Sequence, residues 1–211
     1  EKNLVSKAYA ILADEYDLPS VDVHLHKMIP YGAGLGGGSA DAAFMLVGLN
    51  QLFSLGLNEE RLTGYAARVG SDCPFFVLNR PVFAFGKGEL METIDLSLNV
   101  SLRGYHVVLV KPERGVATPE AYRGITPRAA SFDLRELGKL PVEQWNGVVV
   151  NDFEDSVIPK VPEIQEIKHT LRELGAVYVS MTGSGSAVYG LFSHPVEVEK
   201  AFPEYFVWQG E

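Results

Sequence analysis

The segment PYGAGLGGGSADAAFMLVGLN, from Pro30 to Asn50, holds five glycines within the seven positions from Gly32 to Gly38. A flexible turn before a helix seldom needs more than one or two glycines, because each costs backbone entropy on folding. The following residues are apolar at helical spacing, so we predict a helix from about Ser39 to Phe53. Exposed backbone N–H groups ahead of a helix N-terminus are typical of a phosphate-binding loop.

Two familiar phosphate-loop templates match these letters only in part. Gly32, Gly34 and Gly37 fit the dinucleotide fingerprint. That fingerprint also needs an acidic residue at the end of a second strand, about 20 residues further on, and GLNEERLTG, a loop that opens a helix, occupies this place. The spacing Gly32-x4-Gly37-Gly38-Ser39 fits a P-loop in which glycine replaces the lysine. The shared physics still predicts phosphate binding, with Ser39 available to cap the helix or to offer its hydroxyl to a metal-bound phosphate.

The chain as a whole has the composition of a globular protein. It has 211 residues, of which 46% are hydrophobic and 21% charged, enough for one large domain or two small ones. Its net charge of −9 argues against a nucleic-acid partner, since such proteins carry a basic surplus. A single cysteine fits a reducing cytoplasm, and no apolar run reaches the length of a membrane span, so no membrane partner is expected.

Hydrophobic periodicity predicts the distribution of helices and strands. Helices are predicted over EKNLVSKAYAILADEYDLP, NEERLTGYAARVG with Asn58 as its cap, TPEAYRGI, LRELGKLPVEQW and VPEIQEIKHTLRELG. Strands are predicted over VDVHLHKMI, the two halves of PFFVLNRPVFAFGKGE, YHVVLVKP, the two halves of AVYVSMTGSGSAVYGLF, and EYFVW. This order lacks a strict βαβα rhythm and predicts an α+β fold. The best boundary lies near Ser101–Gly104, giving domains 1–100 and 101–211.

An aspartate in the turn GSDCPFF has two interpretations. Asp72, placed near a phosphate donor, could accept the proton of an attacking hydroxyl. It could equally be an Asx-turn aspartate that bonds its own backbone, and spacing alone favours this second interpretation. The neighbouring Cys73 has no general-base histidine placed with it, so we interpret it as a packing residue.

Two further motifs have both a structural and a functional interpretation. Gly183, Ser184 and Gly185, in MTGSGSAVYG, first of all predict a hairpin turn, although a second glycine loop favours a shared phosphate site. Thr118 and Tyr122 lie on one side of a helix start in VATPEAY. Tyr122 could stack on a base, or pack half-buried as such tyrosines more often do.

Other polar residues are explained without a ligand. His24 and His26 lie on one face of a predicted strand, but no third metal ligand is evident nearby, so we expect them to face solvent. The segment NDFED places Asp152, Glu154 and Asp155 near a helix start, where carboxylates interact favourably with the helix dipole.

In this order, the motifs resemble those of the GHMP kinase superfamily. PYGAGLGGGSADAAF is similar to the superfamily's phosphate motif P-x-x-x-G-L-G-S/G-S-S, and MTGSGSAVYGLF to its C-terminal glycine motif. Within the superfamily, GSDCPFF, VATPEAY and VVNDFE together resemble the kinases of 4-diphosphocytidyl-2-C-methyl-D-erythritol, in the non-mevalonate isoprenoid route. The likeness extends over essentially all 211 residues.

The resemblance implies a fold and a reaction. The fold would be the two-domain α+β GHMP kinase fold, with a ribosomal-protein-S5-like N-terminal part, truncated here, and a ferredoxin-like C-terminal part. The reaction would be transfer of phosphate from ATP, with Mg²⁺, to the 2-hydroxyl of 4-CDP-2-C-methyl-D-erythritol. A bacterial cytoplasmic enzyme, monomeric or weakly dimeric, is expected.

The resemblance also implies roles for individual residues. Asp72 matches the catalytic aspartate beside the substrate, and Thr118 and Tyr122 match positions that line the cytidine pocket. Gly183, Ser184 and Gly185 match a loop that abuts the phosphates, and Ser39 is a candidate Mg²⁺ ligand. The residues implied in ATP binding are Lys27, Pro30, Tyr31, Gly32, Ala33, Gly34, Leu35, Gly36, Gly37, Gly38, Ser39 and Ala40.

One departure from the family pattern concerns its beginning. The family starts with a strand and a segment of A-K-[IV]-N-L type, which supplies a catalytic lysine, whereas EKNLVSKA matches a later point. We therefore expect an N-terminal segment outside this chain, and a fragment without it to be inactive. The alternatives are another GHMP kinase of mevalonate or homoserine type, a non-catalytic nucleotide-binding remnant, and a Rossmann dehydrogenase, which the missing acidic residue weakens.

Overall fold

The computed structural model of this protein describes residues 3–86, 88–94 and 102–211. The described residues form two compact units on one continuous chain. The first unit contains residues 3–27 and 36–94, and the second contains residues 28–35 and 102–211. The predicted boundary between residues 100 and 101 lies outside the described residues, so the division into domains 1–100 and 101–211 stays a prediction.

The described part of the first unit is mainly helical. Its helices are α1 (Leu4–Tyr16), α2 (Gly37–Leu52), α3 (Glu59–Val69) and α4 (Cys73–Leu78). Strands β1 (Val82–Phe85) and β2 (Leu90–Thr93) pair antiparallel, with Phe83 opposite Glu92. The first three helices confirm the periodicity, and Asn58 caps α3 as predicted, because its side chain accepts a hydrogen bond of 3.0 Å from the Arg61 N–H.

Small side chains let the helices of the first unit approach one another closely. Ala8 of α1, Ala42 of α2 and Ala66 of α3 are fully buried, together with Leu12 and Leu46. Interiors packed at this density tolerate few voids, so the position of each helix is fixed by its neighbours. The core therefore holds the glycine-rich start of α2 in a defined place.

The structure corrects the first of the two strands predicted after the GSDCPFF turn. Residues Cys73–Leu78 form the helix α4 instead. Pro74 lies in the first turn of this helix, where its missing N–H costs nothing and its fixed φ is already helical. The apolar run PFFVL is too short for periodicity to distinguish a strand from a helix, and the proline was the better signal.

The strand predicted at VDVHLHKMI is also wrong. Residues 21–27 take no helix or strand conformation, although their polar and apolar residues alternate. A strand forms only where a neighbouring strand accepts its backbone hydrogen bonds, and alternation alone supplies no such neighbour. Val23 and Leu25 are 49% and 45% exposed, and His24 and His26 are exposed as expected.

The described part of the second unit is built around an antiparallel sheet. Its strands are β3 (His106–Lys111), β4 (Tyr178–Met181), β5 (Val188–Phe192) and β6 (Phe206–Gly210), in the order β4-β5-β3-β6. Its helices are α5 (Thr118–Arg123), α6 (Glu154–Val157) and α7 (Glu163–Glu173). The segment LRELGKLPVEQW, predicted to be helical, forms two short 3-10 helices, Leu134–Lys139 and Val142–Gln144.

Both faces of this sheet are covered by apolar residues. Ile164, Ile167 and Leu171 of α7 pack in one cluster with inward residues of the strands, among them Val110. On the other side, Trp145 packs in a cluster with Tyr178 and Leu191. Strands buried on both faces read as near-continuous apolar runs, which is why YHVVLVKP was predicted correctly. Among the described residues, every helix is too short or too polar to span a bilayer.

A buried ion pair joins α6 to α7. Lys168 and Glu154 are paired, and their side chains are only 9% and 18% exposed. Glu154 also accepts a hydrogen bond of 2.9 Å from the backbone N–H of Met181, at the end of β4. Removing one member of such a pair leaves an uncompensated buried charge.

We expect Lys168→Met to lower the free energy of unfolding by about 3 kcal/mol. The matched control is Lys160→Met, because Lys160 pairs with Glu120 at 2.8 Å but both side chains are well exposed. An exposed pair contributes less than about 1 kcal/mol. Urea denaturation of both variants of the full-length gene product measures the difference, and equal losses would contradict a buried role for Lys168.

Candidate functional site

Helix α2 begins without a side-chain cap. Gly36 occupies the N-cap position with φ of 65°, and no side chain bonds the first turn. The N–H of Ala40 bonds the Gly36 carbonyl at 2.9 Å, so the preceding N–H groups of Gly37, Gly38 and Ser39 have no carbonyl partner within the helix. Unpaired donors at the positive end of a helix form a favourable environment for an anion.

Gly36 is required by its surroundings as well as by its backbone. A Cβ atom at this position would lie 2.8 Å from Cζ of Phe76, which is less than any real contact allows. Its positive φ independently favours glycine. The ring of Phe76, in α4, therefore packs directly against the start of α2.

The turn before α4 carries Asp72 at the N-cap position of that helix. The Asp72 side chain makes no capping hydrogen bond, and its residue is exposed. Its Oδ1 accepts a hydrogen bond of 3.2 Å from the Ser71 hydroxyl. The Asx-turn interpretation, in which the carboxylate bonds the following backbone, is therefore not supported, and Asp72 presents an acceptor oxygen at the surface of the first unit.

The start of α2 and the Asp72 turn are joined by a second contact. The thiol of Cys73 is fully buried, in the same apolar cluster as Ala42 and Leu46 of α2. Burial raises the pKa of this thiol above its ordinary value, although the nearby Ser39 side chain opposes the shift. Cys73 is thus a protonated packing residue at neutral pH, as predicted, and it packs the residue that follows Asp72 against α2.

Lys7 is a residue of this region that the sequence analysis missed. Its ammonium group donates a hydrogen bond of 2.7 Å to the carbonyl of Val69, the last residue of α3. A cation is favourable at the carbonyl end of a helix, and this contact fixes the chain three residues before Asp72. Spacing was the one signal in the sequence, because Lys7 follows Leu4 by three positions and therefore lies on the same side of α1. That side faces α2, since a Leu4 methyl group lies 3.7 Å from the position of a Cβ on Gly38.

Lys27, expected to contact a nucleotide, is paired with Asp41 of α2. Both side chains are partly exposed, at 37% and 21%. Asp41 follows the first turn of α2, so the pair holds the Lys27 ammonium close to the helix start. The structure therefore brings Lys27 near the predicted phosphate segment, with a carboxylate as its partner.

In the second unit, residues 28–35 are held by the loop between β4 and β5. The carbonyl of Ala33 accepts hydrogen bonds from the Ala187 N–H at 3.1 Å and from the Thr182 hydroxyl at 2.9 Å. The Gly32 carbonyl accepts another, of 3.4 Å, from the Ser186 N–H. We call this set of three hydrogen bonds the loop clasp. MTGSGSAVYG turns between strands β4 and β5, as predicted. The same turn also binds the backbone carbonyls of Gly32 and Ala33.

Gly34 and Gly183 allow the two backbones of the loop clasp to touch. A Cβ on Gly34 would lie 2.3 Å from the Thr182 carbonyl oxygen, and one on Gly183 would lie 2.8 Å from the Gly34 oxygen. Ala33 is 2% exposed and packs against Leu109 and Ala187. The Ala33 side chain therefore anchors the loop to the sheet, whereas Tyr31, at 90% exposure, extends into solvent.

The two residues predicted for a cytidine pocket lie on α5. The hydroxyl of Thr118 is 3.3 Å from that of Ser184, so the structure brings this residue to the glycine loop. Tyr122 is 63% exposed and makes a T-shaped contact with Phe153, with ring centroids 4.8 Å apart and an interplanar angle of 77°. A ring exposed to this extent retains surface on which a base can stack.

Comparison with known proteins now adds to this geometry. The family model of the GHMP kinases N terminal domain matches residues 3–80, and that of the GHMP kinases C terminal matches residues 127–207. A Parabacteroides distasonis protein named 4-diphosphocytidyl-2-C-methyl-D-erythritol kinase is 49% identical over 213 residues, covering 100% of this chain and 77% of the relative. The chain belongs to the GHMP kinase family.

Other GHMP kinases agree in sequence and in fold. A Bacteroides fragilis protein of the same name is 50% identical over 212 residues, covering 100% of this chain and 76% of the relative. The crystal structure of 4-(cytidine 5'-diphospho)-2C-methyl-D-erythritol kinase superposes with a TM-score of 0.80 at 30% identity, covering 99% of this chain and 77% of that one. A mevalonate kinase structure, with a TM-score of 0.70 at 13% identity over 98% of this chain and 74% of its own, shows a shared fold.

Membership in the GHMP kinase family decides the class of protein. The chain has the α+β GHMP kinase fold and is a small-molecule kinase with ATP as phosphate donor. The non-catalytic remnant and the dehydrogenase are not favoured.

The loop clasp predicts unequal effects for two neighbouring glycines. Gly34→Ala combines a φ of 72° with a backbone clash, whereas Gly32→Ala has a similar φ of 65° and nothing within 4 Å of its Cβ. We expect Gly32→Ala to cost about 1 kcal/mol of stability, the strain of a left-handed conformation alone, and Gly34→Ala to cost well above this. Chemical denaturation of the two variants measures both losses, and similar values would refute the close approach at Gly34.

Proposed function

We propose that this chain phosphorylates the 2-hydroxyl of 4-CDP-2-C-methyl-D-erythritol, with ATP as donor, in non-mevalonate isoprenoid precursor synthesis. The observation that carries the proposal is the identity of 49% over the whole chain with a relative named for that reaction. The geometry supports it, because Phe76 packs against Gly36 and the buried Cys73 packs with residues of α2, which joins the start of α2 to the Asp72 turn within one unit. Phosphoryl transfer depends mainly on placement and charge neutralisation, which fixed backbone donors provide.

The phosphates of ATP would lie at the start of α2. The N–H groups of Gly37, Gly38 and Ser39 are the donors, and the adjacent Lys27 ammonium adds positive charge beside its Asp41 partner. Because these donors belong to a helix that the core already fixes, little reorganisation accompanies binding. In the second unit, Gly183, Ser184 and Gly185 form a turn whose role, by resemblance, is to border phosphate groups.

Asp72 is proposed as the residue that accepts the proton. The hydroxyl oxygen of the acceptor attacks the γ-phosphorus, its proton passes to the Asp72 carboxylate, and ADP leaves with the electrons of the broken P–O bond. The acceptor is a tertiary alcohol, weakly acidic and hindered, so orientation by the carboxylate is as important as its basicity. Lys7 would steady this turn through the Val69 carbonyl.

The donor set suits Mg²⁺, which kinases bind through one or two protein oxygens, with phosphate and water oxygens as the remaining ligands. The described residues contain no cluster of three or more His, Cys, Asp or Glu side chains that could hold a metal alone. The Ser39 hydroxyl, in the first turn of α2, is the proposed protein ligand. Bound there with ATP, Mg²⁺ would neutralise phosphate charge.

Thr118 and Tyr122 would receive the cytidine part of the acceptor. The exposed Tyr122 ring offers a stacking surface, and the Thr118 hydroxyl lies beside the glycine loop. We further expect a monomer or weak dimer acting in the bacterial cytoplasm, to which a single buried cysteine is suited.

Measuring ADP release by the full-length gene product, with ATP and Mg²⁺, tests the proposed function. We expect turnover with 4-CDP-2-C-methyl-D-erythritol and none with mevalonate or homoserine. Turnover with mevalonate or homoserine alone would assign the chain to another branch of the family. Release of ADP with none of the three would overturn the proposed substrate.

Asp72→Asn tests the assigned base, because it preserves shape and removes the acceptor of the proton. We expect kcat to fall by about 10²–10⁴-fold with little change in KM for ATP, as is usual for loss of a general base. Asp14→Asn, an exposed carboxylate of α1, is the control and should leave kcat unchanged. A loss smaller than about tenfold in Asp72→Asn would exclude the role.

A further inference from the structure

Asn151 uses its whole side chain to bind backbone. Its Nδ2 donates to two carbonyl oxygens, those of Met181 and Gly183, each at 2.8 Å. Its Oδ1 accepts a hydrogen bond of 3.0 Å from the N–H of Phe153. Both protons of the amide are therefore committed to the end of β4 and the glycine turn, while the oxygen is committed to the segment before α6.

The two carbonyls that Asn151 binds lie on either side of a residue of the loop clasp. Met181 and Gly183 flank Thr182, whose hydroxyl bonds the Ala33 carbonyl at 2.9 Å. Gly183 itself touches the backbone of Gly34. Fixing both carbonyls consequently fixes the part of the turn that grips residues 33 and 34.

The hydrogen bond that Asn151 accepts connects it to the ring pair Phe153 and Tyr122. The N–H that Asn151 binds belongs to Phe153, whose ring makes a T-shaped contact with that of Tyr122, with centroids 4.8 Å apart. A second contact holds the same two segments together, since the Ser156 hydroxyl lies 3.1 Å from the carbonyl oxygens of both Ala121 and Phe153 and shares its one proton between them. The orientation of Tyr122 thus depends on the backbone that Asn151 holds.

Glu154 completes the attachment on the side of β4. Its Oε1 accepts the Met181 N–H at 2.9 Å, while Asn151 binds the carbonyl of the same residue. Both polar groups of the Met181 backbone are therefore held by one short segment. Such a two-point attachment restrains rotation of the strand end, which a single hydrogen bond would permit.

We propose that Asn151 is a positioning residue that sets the glycine turn and the Tyr122 ring relative to each other. Through its amide it would place the turn that borders the phosphates, and through its oxygen it would place the ring that stacks on cytosine. The proposal rests on the proposed function, which supplies the two ligands. It explains why an asparagine, with donor and acceptor on one planar group, stands at this position.

Three substitutions separate the two connections. Asn151→Asp retains the acceptor for Phe153 and removes both donors. Phe153→Leu removes only the ring contact with Tyr122, and Asn151→Ala removes all three hydrogen bonds of the side chain. Asn146 is the matched control, because its Nδ2 donates to the Val177 carbonyl, just before the opposite end of β4, at 2.6 Å. Asn146→Ala and Asn146→Asp therefore delete the same kind of bond, to the residue before β4 and away from the glycine turn.

Calorimetry on the full-length gene product would measure the Kd of a non-hydrolysable ATP analogue and the Kd of CDP. We expect Asn151→Asp to weaken the ATP analogue about tenfold and leave CDP unchanged, the size of one hydrogen bond. Phe153→Leu should weaken CDP alone, Asn151→Ala should weaken both, and neither Asn146 variant should change either Kd. A merely structural role would lower the melting temperature and leave both constants of the folded fraction unaltered.

Each remaining outcome has one meaning. Unchanged Kd values in Asn151→Asp and Phe153→Leu, or equal changes in the Asn146 variants, would overturn the positioning role. If Asn151→Ala does not fold, the other two variants still decide the question. Failure of the wild-type protein to bind CDP, with the ATP analogue bound normally, would instead count against the proposed function.

Discussion

The Ala33 carbonyl is the point on which the glycine segment depends. It accepts two hydrogen bonds, from the Ala187 N–H and the Thr182 hydroxyl, while its own side chain is buried on the sheet. A loop with so much glycine would otherwise sample many conformations, since glycine loses the most entropy on ordering. Hydrogen bonds to the turn between β4 and β5 give this glycine-rich loop one defined conformation.

The glycines of this segment serve different physical purposes. Gly32 needs only its positive φ, Gly34 must admit the backbone of Thr182, and Gly36 must admit the ring of Phe76. The sequence could indicate that something approaches the chain closely here. It could not indicate that two of these approaches come from the protein itself, because the partners lie far along the chain. The phosphate interpretation now rests on the N–H groups at the start of α2 and on family membership.

Prediction from sequence succeeded where local chemistry decides structure. Helices α1, α2 and α3, the Asn58 cap and the buried strand β3 all follow from periodicity and short-range signals. The strand predicted for PFFVL was wrong although a local signal, Pro74 in the first turn, indicated a helix. Elsewhere prediction failed because partners are distant: residues 21–27 alternate without forming a strand. Lys7 and Asn151 were missed for the same reason, because their contacts, with Val69 and with Met181 and Gly183, join separated segments. The role proposed for Asp72 comes from a family motif, since spacing alone favoured a turn, and it stays a prediction.

Helix capping distinguishes the proposed site from the rest of the first unit. Of its four described helices, α1 and α3 are capped by asparagines, Asn3 and Asn58, whose side chains bond the first turn. Helices α2 and α4 have no such bond, although Asp72 stands at the α4 N-cap and is chemically suited to provide one. A missing cap costs about 1 kcal/mol, so two uncapped starts reduce stability in a unit that caps its other helices well. Both uncapped starts belong to the proposed site, where the donors of α2 stay available for phosphate and the carboxylate of Asp72 for a proton. Local instability of this kind is expected where a protein retains binding and catalytic groups for a ligand.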